Sequence, residues 1–150
     1  MNTKFMIISS EFPPGPGGIG NHAYNLAKEL NSLGYNIHVI SIERKGFPHE
    51  NFDNNAPFYI KRCSSISKFA YLISFIGTFF SLFNKNKYDY IFVSGLKQLI
   101  LVGLLQKVIT FRSVGIIHGH EPLMGSILIK YLLRSVLISI NKMIAVSHFS

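Results

Sequence analysis

Three short clusters in this chain carry the residue types that do chemistry. The first is Glu11-Phe12-Pro13-Pro14-Gly15-Pro16-Gly17-Gly18-Ile19-Gly20-Asn21, a glycine- and proline-rich stretch that runs into a helical pattern. Glycines at the head of a helix let backbone N–H groups approach a ligand without side chains in the way. The unpaired amides and the positive end of the helix dipole then favour phosphate or carboxylate. The second cluster is His118-Gly119-His120-Glu121 and the third is Ser147-His148, each directly after an apolar run. Ser94-Gly95 closes another such run.

Each cluster admits more than one reading. Gly15-Pro16-Gly17-Gly18-Ile19-Gly20 matches G-x-G-x-x-G, with Glu43 downstream where a ribose would be held, so a nicotinamide- or flavin-binding domain is one alternative. Against it, Ser10 to Pro14 intervene between strand and first glycine, and Pro13, Pro14 and Pro16 are expected to stiffen the loop into an extended projection. Glycines that serve only a close strand-to-helix packing are a second alternative. His118, His120 and Glu121 are common zinc-ligand types, but a compact trio without a second cluster completes no site, and no metal is expected. No G-x-S-x-G elbow is present. His118 reads either as a neutral group that hydrogen-bonds a ligand hydroxyl or as a satisfied loop histidine.

Alternating elements must position these groups. Phe5 to Ser9, Ile37 to Ile42, Phe58 to Cys63, Tyr88 to Val93, Val114 to His118 and Lys142 to Val146 read as strands. Ile19 to Leu33, Ile66 to Phe83, Leu96 to Ile109 and Gly125 to Ile140 read as helices, with Gly34 as a left-handed C-cap and Ser64 to Ser67 offering N-caps. Glu43 to Pro57 reads as a loop. Strand–helix alternation implies one α/β domain, a doubly wound, mostly parallel, Rossmann-like sheet of about six strands with helices on both faces. In such sheets ligands bind at the carboxyl ends of the strands, where all three clusters fall.

Totals narrow the class. The 150 residues suffice for one core, and 48% hydrophobic content with mean hydropathy +0.29 suits buried parallel strands. The single cysteine, Cys63, excludes an internal disulfide and fits a reducing cytoplasm. A net charge of +8 favours anionic partners, a membrane surface or a phosphorylated substrate, while no nucleic-acid module is recognisable. No signal peptide is evident, and the uncharged stretch from Phe69 to Asn84 is shorter than the ~20 residues of a span, so a buried or interfacial helix is expected.

The run from Ser10 to Pro14 through Gly17-Gly18-Ile19-Gly20, then Leu26-Ala27-Lys28-Glu29-Leu30, Gly34-Tyr35 and His38-Val39-Ile40, resembles the opening of family-4 retaining glycosyltransferases of the GT-B fold. The likeness continues through Tyr88 to Ile91, Ile116 to Glu121 and Ile144 to Ser147. It implies the N-terminal, acceptor-side domain of an enzyme that moves a sugar from a nucleotide-sugar donor to a glycan or lipid-linked acceptor in surface polysaccharide or glycolipid synthesis. It implies that Gly17 and Gly18 approach the donor and that His118 contacts the transferred sugar; Glu11, Ser94 and Glu121, by their place at the carboxyl ends of the strands, are expected to line the substrate. No cofactor is implied beyond the nucleotide-sugar co-substrate. A cytoplasmic location at the inner membrane face is implied, with Lys68, Lys85, Lys87, Lys130 and Arg134 as contacts. The nucleotide-sugar-binding C-terminal domain, with its E-x7-E motif, would be supplied in cis or in trans, and the lone domain is expected to be inactive. A non-catalytic Rossmann-like binding module and an NAD(P)-dependent oxidoreductase domain are the alternatives.

Overall fold

The computed structural model describes residues 3–118 and 134–146. Six strands form one sheet: β1 (Lys4–Ser9), β2 (Asn36–Ile42), β3 (Tyr59–Cys63), β4 (Tyr90–Ser94), β5 (Ser113–Ile117) and β6 (Lys142–Ala145). They lie in the order β3-β2-β1-β4-β5-β6, and each adjacent pair is parallel. The order reverses between β1 and β4, in register Phe5↔Tyr90 to Ser9↔Ser94. The glycine-rich loop and Ser94 emerge at the carboxyl ends beside that switch point, the place where ligands bind in sheets of this kind.

Side-chain alternation along the strands divides the core. Phe5, Ile7, Ile37 and Val39 pack with Ala23 and Ala27 of α1 (Gly18–Ser32). Met6, Ile8, Ile40, Ile91 and Val93 pack on the other face with Phe75 and Phe79 of α3 (Lys68–Lys85) and Leu99 and Val102 of α4 (Leu96–Gln106). Helices therefore cover both faces, as the alternation predicts. β1 and β4, clad on both sides, read as near-continuous apolar runs for that reason.

Local chemistry sets the ends of these elements. Gly34, at φ +87°, donates its N–H to the Asn31 carbonyl while Tyr35 N–H reaches Leu30, the paired bonds that close a helix through a left-handed residue. Ser67 caps α3 by accepting from Ala70 N–H at 3.1 Å. α4 stops at Gln106, short of the expected Ile109, because Lys107 and Val108 N–H groups close turns onto Leu104 and Leu105. Residues 134–137 are helical; the rest of the helix expected from Gly125 lies outside the described residues.

One expectation is corrected. The stretch from Glu43 to Pro57 is not all loop, since Glu50–Asn55 forms a short helix, α2. Asn and Asp are poor helix formers, and six residues fall below what propensity sustains alone. Tertiary contact holds α2: Phe52 packs edge-on to Phe12, with ring centroids 6.4 Å apart, and Asp53 pairs with Arg62.

Candidate functional site

The glycine-rich loop is folded back, not extended as its three prolines suggest. The backbone turns at Pro13–Pro14, joined by a cis peptide, and Phe12 is buried among Tyr24, Phe52 and Phe58. Two arginines then tie the loop to the ends of the neighbouring strands. Arg62 donates to the Pro13 carbonyl and, through Nε and Nη2, to both Asp53 oxygens at 2.7 Å. Arg44 donates to the Pro16 carbonyl and lies 3.7 Å from Glu11. The loop's shape comes from these anchors rather than from proline stiffness.

Its glycines have separate reasons. Gly17 sits at φ +150°, where L side chains are rarely found, and a Cβ there would lie 1.9 Å from Glu11 Oε2. Gly20 is buried, and its Cβ would come within 3.0 Å of the Glu11 and Phe12 backbone. Gly18 is exposed with nothing within 4 Å of a Cβ, so the first turn of α1 is open to an approaching ligand there. No side chain caps α1, and its first turn holds no acidic residue. The start of α1 is therefore uncapped, while the Glu11 carboxylate, 3.7 Å from Arg44, lies beside the N-cap Gly17.

His118, directly after β5, meets this turn. Its Nε2 lies 2.9 Å from Ser94 Oγ, and its ring is edge-on to His22 at 5.1 Å between centroids. Ser94 is buried and its carbonyl accepts from Ser10 N–H at 3.0 Å, so the ends of β1, β4 and β5 are joined beneath the imidazole. The structure thus brings Gly17, Gly18, Ser94 and His118 to one edge, with Glu11 folded against Gly17. Glu121, His120, Ser147 and His148 lie outside the described residues. Among the described residues no cluster has the makings of a metal site.

Sequence reasoning passed over His22. Its place two residues beyond Gly20, on the first turns of α1, was the signal available. Its Nδ1 is buried with no hydrogen-bond partner among the described residues. Burial, and secondarily the charge of His118, hold its pKa below the ordinary 6.5. His38, bonded to Tyr88 Oη at 2.7 Å, is shifted the same way by burial and then by Lys4.

These shifts have a testable sign. The unfolded chain takes up protons at these histidines as pH falls through 6.5, whereas the folded chain resists them. Stability is therefore full above that pH and declines below it, until the folded-state pKa values are passed. Thermal unfolding from about pH 8 to about pH 5 should show the decline, and His22→Gln should make it shallower. An unchanged slope in the variant would remove His22 from the account.

A family model described as Glycosyltransferase Family 4 matches residues 16–150, from the glycine loop onward. No curated protein matches the chain closely enough to be set beside it. With the matched stretch covering most of the sequence, and with a parallel α/β sheet whose loop, serine and histidine converge at one edge, the chain belongs to glycosyltransferase family 4.

Proposed function

We propose that this domain is the acceptor-side half of a retaining glycosyltransferase that takes a sugar from a nucleotide-sugar and places it on a glycan or lipid-linked acceptor of the cell surface. Family membership supplies the reaction class, a sugar donor and an acceptor. One observation carries the residue roles: His118, its ring fixed by the Ser94 hydrogen bond, stands beside the open, uncapped start of α1.

In this reading the amides at Gly17 and Gly18 meet negative charge on the donor, which grows on the leaving diphosphate as the glycosidic bond breaks. His118 hydrogen-bonds a hydroxyl of the transferred sugar near the reacting carbon. Ser94 acts through His118 by holding the ring plane, and Glu11 and Glu121 accept hydroxyls. His22, with its orphaned nitrogen, borders the same space. Burial and repulsion from His118 keep His22 neutral near pH 7, which suits hydrogen bonding to hydroxyls.

Half a cleft cannot surround a nucleotide-sugar, so the donor's nucleotide is held by a second domain in cis or in trans. The 150-residue chain should transfer no sugar alone and should do so when a nucleotide-sugar-binding domain is supplied. In that active assembly, His118→Ala should lower kcat by roughly 10²-fold or more with the fold retained. Transfer by the isolated chain would end the half-site proposal, and an unchanged kcat would remove His118 from it.

A further inference from the structure

Gln98 is a polar residue in a place suited to an apolar one. It lies in the first turn of α4 and is 0% exposed, as is Val102 one turn further on. Burying a side-chain amide costs free energy unless both its ends find partners, and here only one does. Nε2 donates to Tyr71 Oη at 2.9 Å, while Oε1 has no partner among the described residues. Leucine would fill a similar volume without that cost. The amide is therefore not explained by packing, and the group it acts on is the Tyr71 phenol.

That phenol is held as a hydrogen-bond donor. Its oxygen accepts the Gln98 N–H, which leaves its own proton for another group, and no side chain among the described residues accepts it. Burial pushes the phenol pKa up to about 12, so the proton stays in place at neutral pH. Tyr71 sits in the first turn of α3 and is partly exposed, within reach of a ligand.

Placement decides what the proton is for. In a parallel sheet α3 and α4 both begin at the carboxyl edge, the edge of Gly18 and His118. Gln98 Oε1 and Ser10 Oγ both lie against Gly95, at φ +100°, where a Cβ would run into the serine hydroxyl and come within 3.0 Å of the amide oxygen. Gly95 follows Ser94, whose hydroxyl holds His118. Tyr71, Gln98, Gly95, Ser94 and His118 thus follow one another across the switch point between β1 and β4. His118 stands on the side of α1, beside His22, and Tyr71 on the side of α3 and α4.

We infer that Tyr71 is a specificity-determining contact to the acceptor sugar, with Gln98 as its positioning residue. The inference rests on the transfer reading above, in which the donor is taken beside α1. The acceptor then enters from the α3–α4 side of the same edge, where the Tyr71 O–H donates to one of its oxygens. Phenol, amide and the Ser10 hydroxyl are all uncharged, which suits a neutral sugar unit. A contact of this kind discriminates between sugars, because an analogue without the matching oxygen leaves the phenol unpaired.

The chain, isotope-labelled at the tyrosine Cζ, is titrated with the methyl glycosides of glucose, galactose, mannose, rhamnose and N-acetylglucosamine. Loss of one signal in Tyr71→Phe identifies Tyr71. At least one glycoside should move that signal, and Gln98→Leu should weaken its binding about tenfold. The same variant should keep Tm or raise it, since a buried orphan oxygen is gone; a merely structural glutamine would lower Tm and leave binding alone. In the active assembly Tyr71→Phe should raise the acceptor KM about tenfold and leave the donor KM unchanged. A Tyr71 signal that no glycoside moves overturns the inference, as does full binding by Gln98→Leu or an unchanged acceptor KM for Tyr71→Phe. If a glycoside moves Tyr71 while the wild-type assembly transfers nothing, the sugar contact stands and the transfer reading falls.

Discussion

Arg62→Ala should lower the unfolding free energy by about 3–5 kcal/mol, because it strands a carboxylate in a place built for an ion pair. The Arg62 side chain is only 6% exposed and that of Asp53 16%, so water solvates neither well. Two bonds of 2.7 Å join them in the planar, bidentate geometry that guanidinium and carboxylate favour, and Nη2 also holds the Pro13 carbonyl. The substitution therefore leaves Asp53 without its cation, frees α2 from β3 and unties the glycine-rich loop. Urea unfolding measures the loss, and adding Asp53→Asn should recover part of it, since the stranded charge is then gone. Arg62→Lys should not restore the wild-type value, because a single ammonium cannot bridge both oxygens and the Pro13 carbonyl in this geometry. A loss below about 0.5 kcal/mol for Arg62→Ala would show that the pair contributes no more than a surface contact.

The second large effect separates two adjacent glycines. Gly17→Ala should lower stability by about 1–3 kcal/mol, from a backbone at φ +150° and a methyl group driven into the Glu11 carboxylate. For a chain of this size that is a fall in Tm of roughly 2–4 °C per kcal/mol. Gly18→Ala should leave Tm unchanged or slightly raised, because its Cβ meets nothing within 4 Å and alanine loses less backbone freedom in a helix. Gly18→Leu should likewise keep the fold while weakening engagement of the nucleotide-sugar by the active assembly. Parallel melting curves and donor titrations distinguish the two glycines. A normal donor affinity for Gly18→Leu would take the anion role away from this turn, and an unchanged Tm for Gly17→Ala would show that Glu11 yields freely.

Much of the architecture was legible because its causes are local. Apolar runs of strand length, separated by amphipathic segments with a glycine or serine at their ends, prescribe alternating strand and helix. Handedness and crossover rules then leave a parallel doubly wound sheet. Gly34 and Ser67 do what their types and positions imply, closing α1 and opening α3. The gathering of the glycine loop, Ser94 and His118 at one edge of the sheet was equally readable, since each follows an apolar strand.

Tertiary structure decided what depends on partners distant in sequence. α2 is invisible to propensity because an Asn- and Asp-rich hexamer is helical only when Phe52 has Phe12 to pack on and Asp53 has Arg62 to bind. Loop shape follows Arg44 and Arg62, 28 and 49 residues from the carbonyls they hold, and not the three prolines in its own sequence. His22 gains meaning only beside His118, and Ser94 only beneath it, because parallel pairing of β1, β4 and β5 gathers their ends at one point. In sequence α3 reads as a buried or interfacial helix, and nothing there says which side is which. Folding buries one side of it against the sheet and leaves the other uncovered, because a helix on a sheet has only one side to give to the core.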